Sequence, residues 1–191
     1  MHRLVQFHDL QRAAKASSKV AVHPPEAGNL PPELLRVLCA ILAEHTGTPD
    51  SCCFCLWEGY GWLDETQQAT MIFTDASSQE SIPSRAADRL SPVLRTAARS
   101  ESRVKLPYRE YLLFEGPLEV ASELGRFLTS ECFLAQSPNL FWPRDHAWCV
   151  ASEIDLFCTL VAGSNDLAEK LVAEPRLEAW HVFADDPVGA R

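Results

Sequence analysis

Residues 136–164, QSPNLFWPRDHAWCVASEIDLFCTLVAGS, decide the fold. A turn-like Ser-Pro-Asn and a Phe-Trp-Pro turn precede apolar runs that predict strands at 147–154 and at about 158–162. Ser164 fits the N-cap of a helix over 165–173, and Asp166 suits its first turn. This stretch is therefore expected to form the central scaffold of a sheet domain.

Further elements are predicted on both sides of this stretch. Helical spacing opened by Pro32 predicts a helix over 32–45, and the short apolar run CCFCLW predicts a buried strand over 52–57. The remaining predictions are a strand over 68–74 paired with the first as a hairpin, a strand over 107–114, a helix over 117–128 and a strand over 177–183. For residues 75–102 a short helix over about 84–98 and a mobile loop are alternatives. Because strands come in neighbouring pairs as well as between helices, the order predicts an α+β fold, a single layer of mostly antiparallel or mixed β-sheet packed by helices.

The domain organisation follows from charge and from proline content. Residues 1–23 predict a basic helical arm, 24–32 a proline-rich linker, and 33–191 a single α+β domain. The arm is expected to dock onto its own domain or onto a second copy of the chain. A solvated helix face is the alternative explanation of its charges.

Composition limits the function classes. The chain has 191 residues, a formal net charge of −9 and 47% hydrophobic residues. An acidic chain is poorly suited to neutralising phosphates, so nucleic acid is not an expected partner. The sequence has no apolar run near the roughly 20 residues that a membrane helix needs, and its first residues are too polar for a signal peptide. We therefore expect a cytoplasmic protein without a membrane partner.

No cofactor or metal is predicted. The seven cysteines are expected to be free thiols that pack as small hydrophobic side chains. Cys52, Cys53 and Cys55 lack a second downstream pair, so the spacing does not favour zinc. The G-x-S-x-G, Walker A, G-x-G-x-x-G and H-E-x-x-H patterns are absent from the sequence.

Two acids are the candidate catalytic residues. Glu153 and Asp155 lie two residues apart near a predicted strand end, where both side chains can share one face. Two acids held close together in apolar surroundings are suited to acid–base chemistry, with His146 near them in sequence. This predicts, as one alternative, a small hydrolase or lyase to which Glu58 or Glu115 contributes. The other reading is that these acids are solvated and neutralised by Arg144 or another cation.

Aromatic residues in turns are the candidate binding residues. Two clusters rich in glycine and proline supply rigid rings of the kind that protein interfaces use. The residues predicted to bind are Trp57, Glu58, Tyr60, Trp62, Trp142 and Arg144. Ordinary core packing is the alternative for the rings. Without a catalytic motif, the sequence favours a protein-binding module that acts on a protein partner or as a homodimer.

Three segments carry a resemblance to known proteins: FCLWEGYGW, LPYREYLLFEGPL and the stretch SPNLFWPRDHAWCVASEIDLFCTLVAGS. They resemble a group of conserved bacterial hypothetical proteins, over most of residues 50–183, and that likeness implies no activity. Leu106-Pro107 followed by Tyr111 and Phe114 resembles the SMI1/KNR4-type immunity and scaffold domains. That likeness implies an α+β protein that binds partners without catalysis.

Overall fold

The computed structural model describes residues 26–63, 90–183 and 185–186. The helices are α1 (Pro32–Ala43), α2 (Pro92–Arg99) and α3 (Asn165–Ala173), with a 3-10 helix over Leu118–Ser122. The strands are β1 (Cys52–Trp57), β2 (Arg103–Leu106), β3 (Arg109–Gly116), β4 (Gly125–Phe127), β5 (Phe133–Ala135), β6 (Leu140–Pro143), β7 (Cys149–Ala151) and β8 (Leu160–Ala162). None of the helices in these ranges has the length and apolar character needed to cross a membrane.

One sheet organises the described residues. Six strands lie in the order β2-β3-β1-β6-β7-β8, and every neighbouring pair is antiparallel. Strands β4 and β5 form a separate antiparallel pair. The fold is therefore α+β, a single main sheet packed by helices, as the sequence predicts.

The first face of the sheet forms the hydrophobic core. Phe54 on β1 stacks between Phe114 on β3 and Phe141 on β6, with ring centroids 5.6 Å and 6.0 Å away. Helix α1 packs Leu38 and Leu42 into the same core, because residues four apart share one helix face. This face is therefore covered by helices.

The second face of the sheet is made by the alternate residues of the same strands. Its side chains are Cys53, Cys55 and Trp57 from β1, Val104 and Leu106 from β2, Arg109, Tyr111, Leu113 and Glu115 from β3, Leu140 and Trp142 from β6, Cys149 and Ala151 from β7, and Leu160 and Ala162 from β8. None of them belongs to the buried core cluster or packs against it. Cys55 and Tyr111 are buried, and the other side chains of this face are half-buried or exposed. The sheet thus presents one covered face and one largely apolar, partly accessible face.

Three element predictions are wrong. The turn predicted at Phe-Trp-Pro is instead part of strand β6 (Leu140–Pro143). The other two differences have identifiable physical reasons. The helix predicted over 117–128 stops at Ser122 because Gly125 has φ +150 and begins β4. A Cβ built on Gly125 would lie 2.2 Å from the carbonyl oxygen of Leu134, so the β4–β5 pair requires glycine there. The strand predicted over 177–183 is not formed, since that apolar stretch pairs with no strand of the described ranges.

The hairpin predicted to pair 52–57 with 68–74 is also not formed as expected. Both edges of β1 are occupied by β3 and β6. The partner predicted over 68–74 and the arm predicted over 1–23 lie outside the described residues. Residues 26–31 of the predicted linker form no helix or strand, and α1 begins at Pro32.

Candidate functional site

The acids predicted to be catalytic meet an arginine from another strand. Arg109 opens β3, and its Nε donates to Glu153 at 2.8 Å. Its Nη2 donates to Asp155. The loop that follows β7 therefore reaches across the ends of β6 and β1 to contact β3. Glu153 and Asp155 share one cation, so this cluster matches the predicted alternative in which the two acids are neutralised.

The loop carrying these acids is fixed from its other side by Gly28. The Gly28 N–H donates to the Leu156 carbonyl at 3.1 Å, and Gly28 has φ +69. A Cβ at this position would lie 2.6 Å from the Cα of Ile154. Only glycine allows this close approach. Residues 153–156 are thereby held between the chain that precedes α1 and the arginine on β3.

The aromatic residues at the end of β1 form a continuous stack with two arginines. The guanidinium of Arg109 lies 5.8 Å from the centre of the Trp57 ring. Trp57 contacts Tyr60 edge-on at 5.2 Å, and Tyr60 stacks on Trp62 at 5.5 Å. Arg126 lies over Trp62 at 5.4 Å. Trp57 is the member of this stack that lies in β1, and the two other rings and both arginines come from outside that strand.

Asn139 joins the strand ends beneath this stack. Its side chain is 2% exposed and accepts from the Trp57 N–H at 2.8 Å. Its amide nitrogen donates to the Tyr60 hydroxyl at 3.1 Å and to the Ser152 carbonyl at 3.0 Å. A buried amide that uses both its oxygen and its nitrogen fixes three chain segments at once. Asn139 is therefore a structural centre of this end of the sheet.

Burial and the charge of Glu153 shape the ionisation of this cluster. Burial, and then the nearby Glu153 carboxylate, raise the pKa of Tyr111 above its usual value. Burial opposes ionisation of Arg109, but the Glu153 and Asp155 carboxylates outweigh it and raise the pKa of the guanidinium. Glu58 is exposed and pairs with Arg103 at 3.1 Å. At neutral pH the cluster thus holds a neutral phenol beside charges that are paired.

The remaining predicted residues lie at the opposite end of the sheet. Trp142 is half-buried on the second face, directly opposite Cys53. Arg144 and His146 are exposed in the turn between β6 and β7, and His146 has φ +55. Because β6 and β7 are antiparallel, a turn that precedes β7 and acids that follow it lie at opposite ends. His146 and Arg144 are therefore not brought to Glu153 and Asp155.

The turn between β6 and β7 has its own polar contacts, centred on Asp145. Its carboxylate accepts from the Thr46 hydroxyl at 2.8 Å and from the N–H groups of Gly47 at 2.8 Å and Ala147 at 3.1 Å. These hydrogen bonds outweigh the opposing effect of desolvation and lower the pKa of Asp145. The contacts account for Asp145 as a loop-fixing residue.

Arg109 and Asn139 are the residues of this site that sequence reasoning missed. Arg109 stands in LPYREYLLF, and Asn139 in the turn-like SPN. A lone polar residue at a strand end carries no signal for its partner, because the partner lies far away in sequence. In the structure Tyr108, just before Arg109, has a positive φ in a tight hairpin turn, and this turn places Arg109 at a sheet end.

The cysteines divide into buried and exposed thiols. Burial is the main cause that raises the pKa of Cys39 and of Cys55 to about 12, and of Cys52 to about 11. These three behave as the predicted packing thiols, whereas Cys132, Cys149 and Cys158 are exposed. Among the residues that the structure describes, no group of three or more His, Cys, Asp or Glu side chains is arranged to hold a metal ion.

Ion pairs and ring contacts hold the acids and the aromatic side chains of this site in place. The carboxylates of Glu153 and Asp155 are held by Arg109, and the rings of Trp57 and Tyr60 are ordered by their neighbours. Such an arrangement stiffens a surface and leaves its apolar parts accessible. Comparison of the chain with protein-family models, with curated proteins and with solved structures gave no match.

Proposed function

We propose that this chain is a protein-binding module whose binding surface is the second face of the sheet. The observation that carries the proposal is that this face is largely apolar and lies outside the core cluster. Partly accessible apolar faces of this extent are typical of interaction sites. Trp57 and Trp142 lie at its two ends, and tryptophan is a frequent energetic centre of protein interfaces.

A cross-linking experiment tests this function. A photoreactive amino acid at Ala162, exposed on the second face, should give discrete adducts with protein in cells of the source organism. The same amino acid at Ala40, exposed on α1, is the matched control. Ala162→Glu should abolish adducts formed from a second probe at Leu113, whereas Ala40→Glu should not. Identical adduct patterns from positions 162 and 40 would exclude the second face as the binding surface.

The enzymatic alternative, a carboxylate-dependent hydrolase or lyase, stays a prediction with less support. Both acids lie in the loop after β7 and share one cation, since Arg109 donates to one oxygen of each carboxylate. If the chain has an activity of this kind, Glu153→Gln and Asp155→Asn should remove it with folding retained. Turnover that survives both changes would eliminate these acids from any mechanism.

A further inference from the structure

We propose that the occupant of the second face is a second copy of this chain, in a two-fold symmetric dimer. The inference rests on the proposed function and names its partner. It is carried by the charges that surround the face, by the continuity of the face with the β2–β3 hairpin, and by the geometry of a two-fold axis along β1.

The charged side chains near the hairpin end of the face form ion pairs within one chain. Arg109 pairs with Glu153 and Asp155, and the exposed Lys105 pairs with Glu110 at 3.1 Å. Two copies of an acidic chain repel each other over long distances, but salt at about 0.15 M screens exposed charges beyond about 8 Å. Each of these charges has an opposite charge beside it, and the excess negative charge of this group lies with the exposed Asp155, where solvent and salt screen it.

Two opposite charges remain at the other end. Glu115 on β3 and Arg144 after β6 both act on the Cys53 thiol on β1, since the first raises and the second lowers its pKa, which burial chiefly raises. Both side chains are exposed, and neither is in an ion pair within the described part of the chain. They lie on opposite sides of β1, the central strand of the three.

A two-fold axis parallel to β1 would bring these two opposite charges together between the copies. Such an axis lays the β3 side of each copy over the β6 side of the other. Glu115 of each copy then faces Arg144 of the other, which gives two equivalent contacts. An isologous interface requires this reciprocity, in which each contact occurs twice. Cys53, between the two charges, then lies close to the axis.

The hairpin tip supplies contact area that the flat face lacks. Six strands about 4.8 Å apart, with β1 about 20 Å long, make a flat sheet face of at most roughly 500 Å². A standard interface buries about 800 Å² per partner. Leu106 continues the second face, opposite Arg109, and is 46% exposed. Tyr108 next to it is 100% exposed. The tip therefore adds apolar contact, and the dimer is expected to be weak, with dissociation in the micromolar range.

Charge exchange with sedimentation equilibrium tests the dimer. The purified chain, at about 1 to 300 µM in about 0.15 M salt, should show a reversible monomer–dimer equilibrium. Glu115→Arg and Arg144→Glu should each weaken dimerisation about tenfold or more, because like charges then face each other. The double variant should restore it to within about threefold of the original, since both pairs re-form in reverse order. Tyr108→Gly should also weaken the dimer, and Ala40→Glu should not.

Several outcomes would overturn the inference. A monomer at every concentration, single charge variants that dimerise normally, or a double variant no stronger than the singles each exclude this interface. Thermal unfolding of every variant shows that the folded state is retained. If the chain is monomeric while position 162 still cross-links to another protein, the dimer fails and the proposed binding function stands. If position 162 gives no specific adduct either, both fail.

Discussion

The Nε of Arg109 lies 2.8 Å from a carboxylate oxygen of Glu153, and this contact joins the first residue of β3 to the loop after β7. Strands β1 and β6 lie between the two elements in the sheet. The arginine thus connects segments that the sheet order separates. It also lies over Trp57, so one side chain orders both the acids and the aromatic stack.

Replacing Arg109 by alanine should lower the free energy of unfolding by about 1–2 kcal/mol, because it leaves two neighbouring carboxylates without a cation. The pair is partly exposed, so we expect less than for a buried charge-assisted hydrogen bond. Lys105→Ala is the matched control. Its ion pair with Glu110 is well exposed and should contribute less than about 0.5 kcal/mol. Urea denaturation of both variants measures the difference. Equal losses of stability would show that Arg109 does not order the acids and the aromatic stack.

Asn139→Ala should lower the free energy of unfolding by about 2–4 kcal/mol, because it leaves the Trp57 N–H and the Ser152 carbonyl without their partner. The exposed Asn165→Ala, in the first turn of α3, should change stability by less than about 0.5 kcal/mol. Chemical denaturation followed by tryptophan fluorescence separates the two. A small loss at position 139 would mean that water replaces the amide without cost.

Tyr108→Gly should stabilise the chain by about 0.5–1 kcal/mol. Tyr108 has φ +73 after Pro107, the pattern of a type II turn, and a residue with a Cβ is strained there. Its side chain is fully exposed, so its removal costs no burial. Tyr108→Ala keeps the Cβ and should give no such gain. Thermal unfolding at low protein concentration compares them, and a less stable glycine variant would contradict the expected strain.

Stability should fall as the pH rises above about 9. The pKa values of Cys39 and Cys55 are raised to about 12 in the folded chain, from an ordinary value of 9.0. A raised pKa gives stability that is complete below the unfolded value and lost as pH rises through the folded value. Each such thiol contributes a slope of about 1.4 kcal/mol per pH unit between those limits.

The Cys55→Ala variant isolates the contribution of this thiol to the pH dependence of stability. Its cavity lowers stability at every pH, but the slope between about pH 9.5 and 11 should become smaller by about 1.4 kcal/mol per unit. Cys132 is exposed, so Cys132→Ala is the control for removing a thiol without leaving a cavity. Urea denaturation under reducing conditions at several pH values gives the slopes. An unaltered slope for Cys55→Ala would show that this thiol ionises equally in both states.

Local chemistry made part of the fold predictable from the sequence. Helix α3 is found over Asn165–Ala173 as predicted, and the Ser164 hydroxyl accepts from the Leu167 N–H at 3.2 Å. Strand β1 also lies where its apolar run predicts. Caps, spacing and turn residues act over a few positions, so a single sequence displays them directly.

Pairing across the sheet was not predictable in the same way. Arg109 and Glu153 carry no local mark of their contact, and the predicted neighbour of the acids, His146, lies at the opposite end. Closeness in sequence suggested His146, whereas the antiparallel course of β6 and β7 separates it from the acids. The stretch over 177–183 shows a related limit, since apolar composition predicts a strand only where a partner edge exists.

The central position of β1 has a consequence for how the chain folds. Both of its neighbours, β3 and β6, follow it in the sequence, and each closes a long loop when it pairs. During synthesis β1 emerges before both of the strands that flank it in the described sheet. Loop closure of this kind slows folding and leaves the edges of CCFCLW open meanwhile. A nascent chain that stalls before β6 should therefore be prone to aggregation, and recovery of the native state should depend on how quickly the second half of the chain arrives.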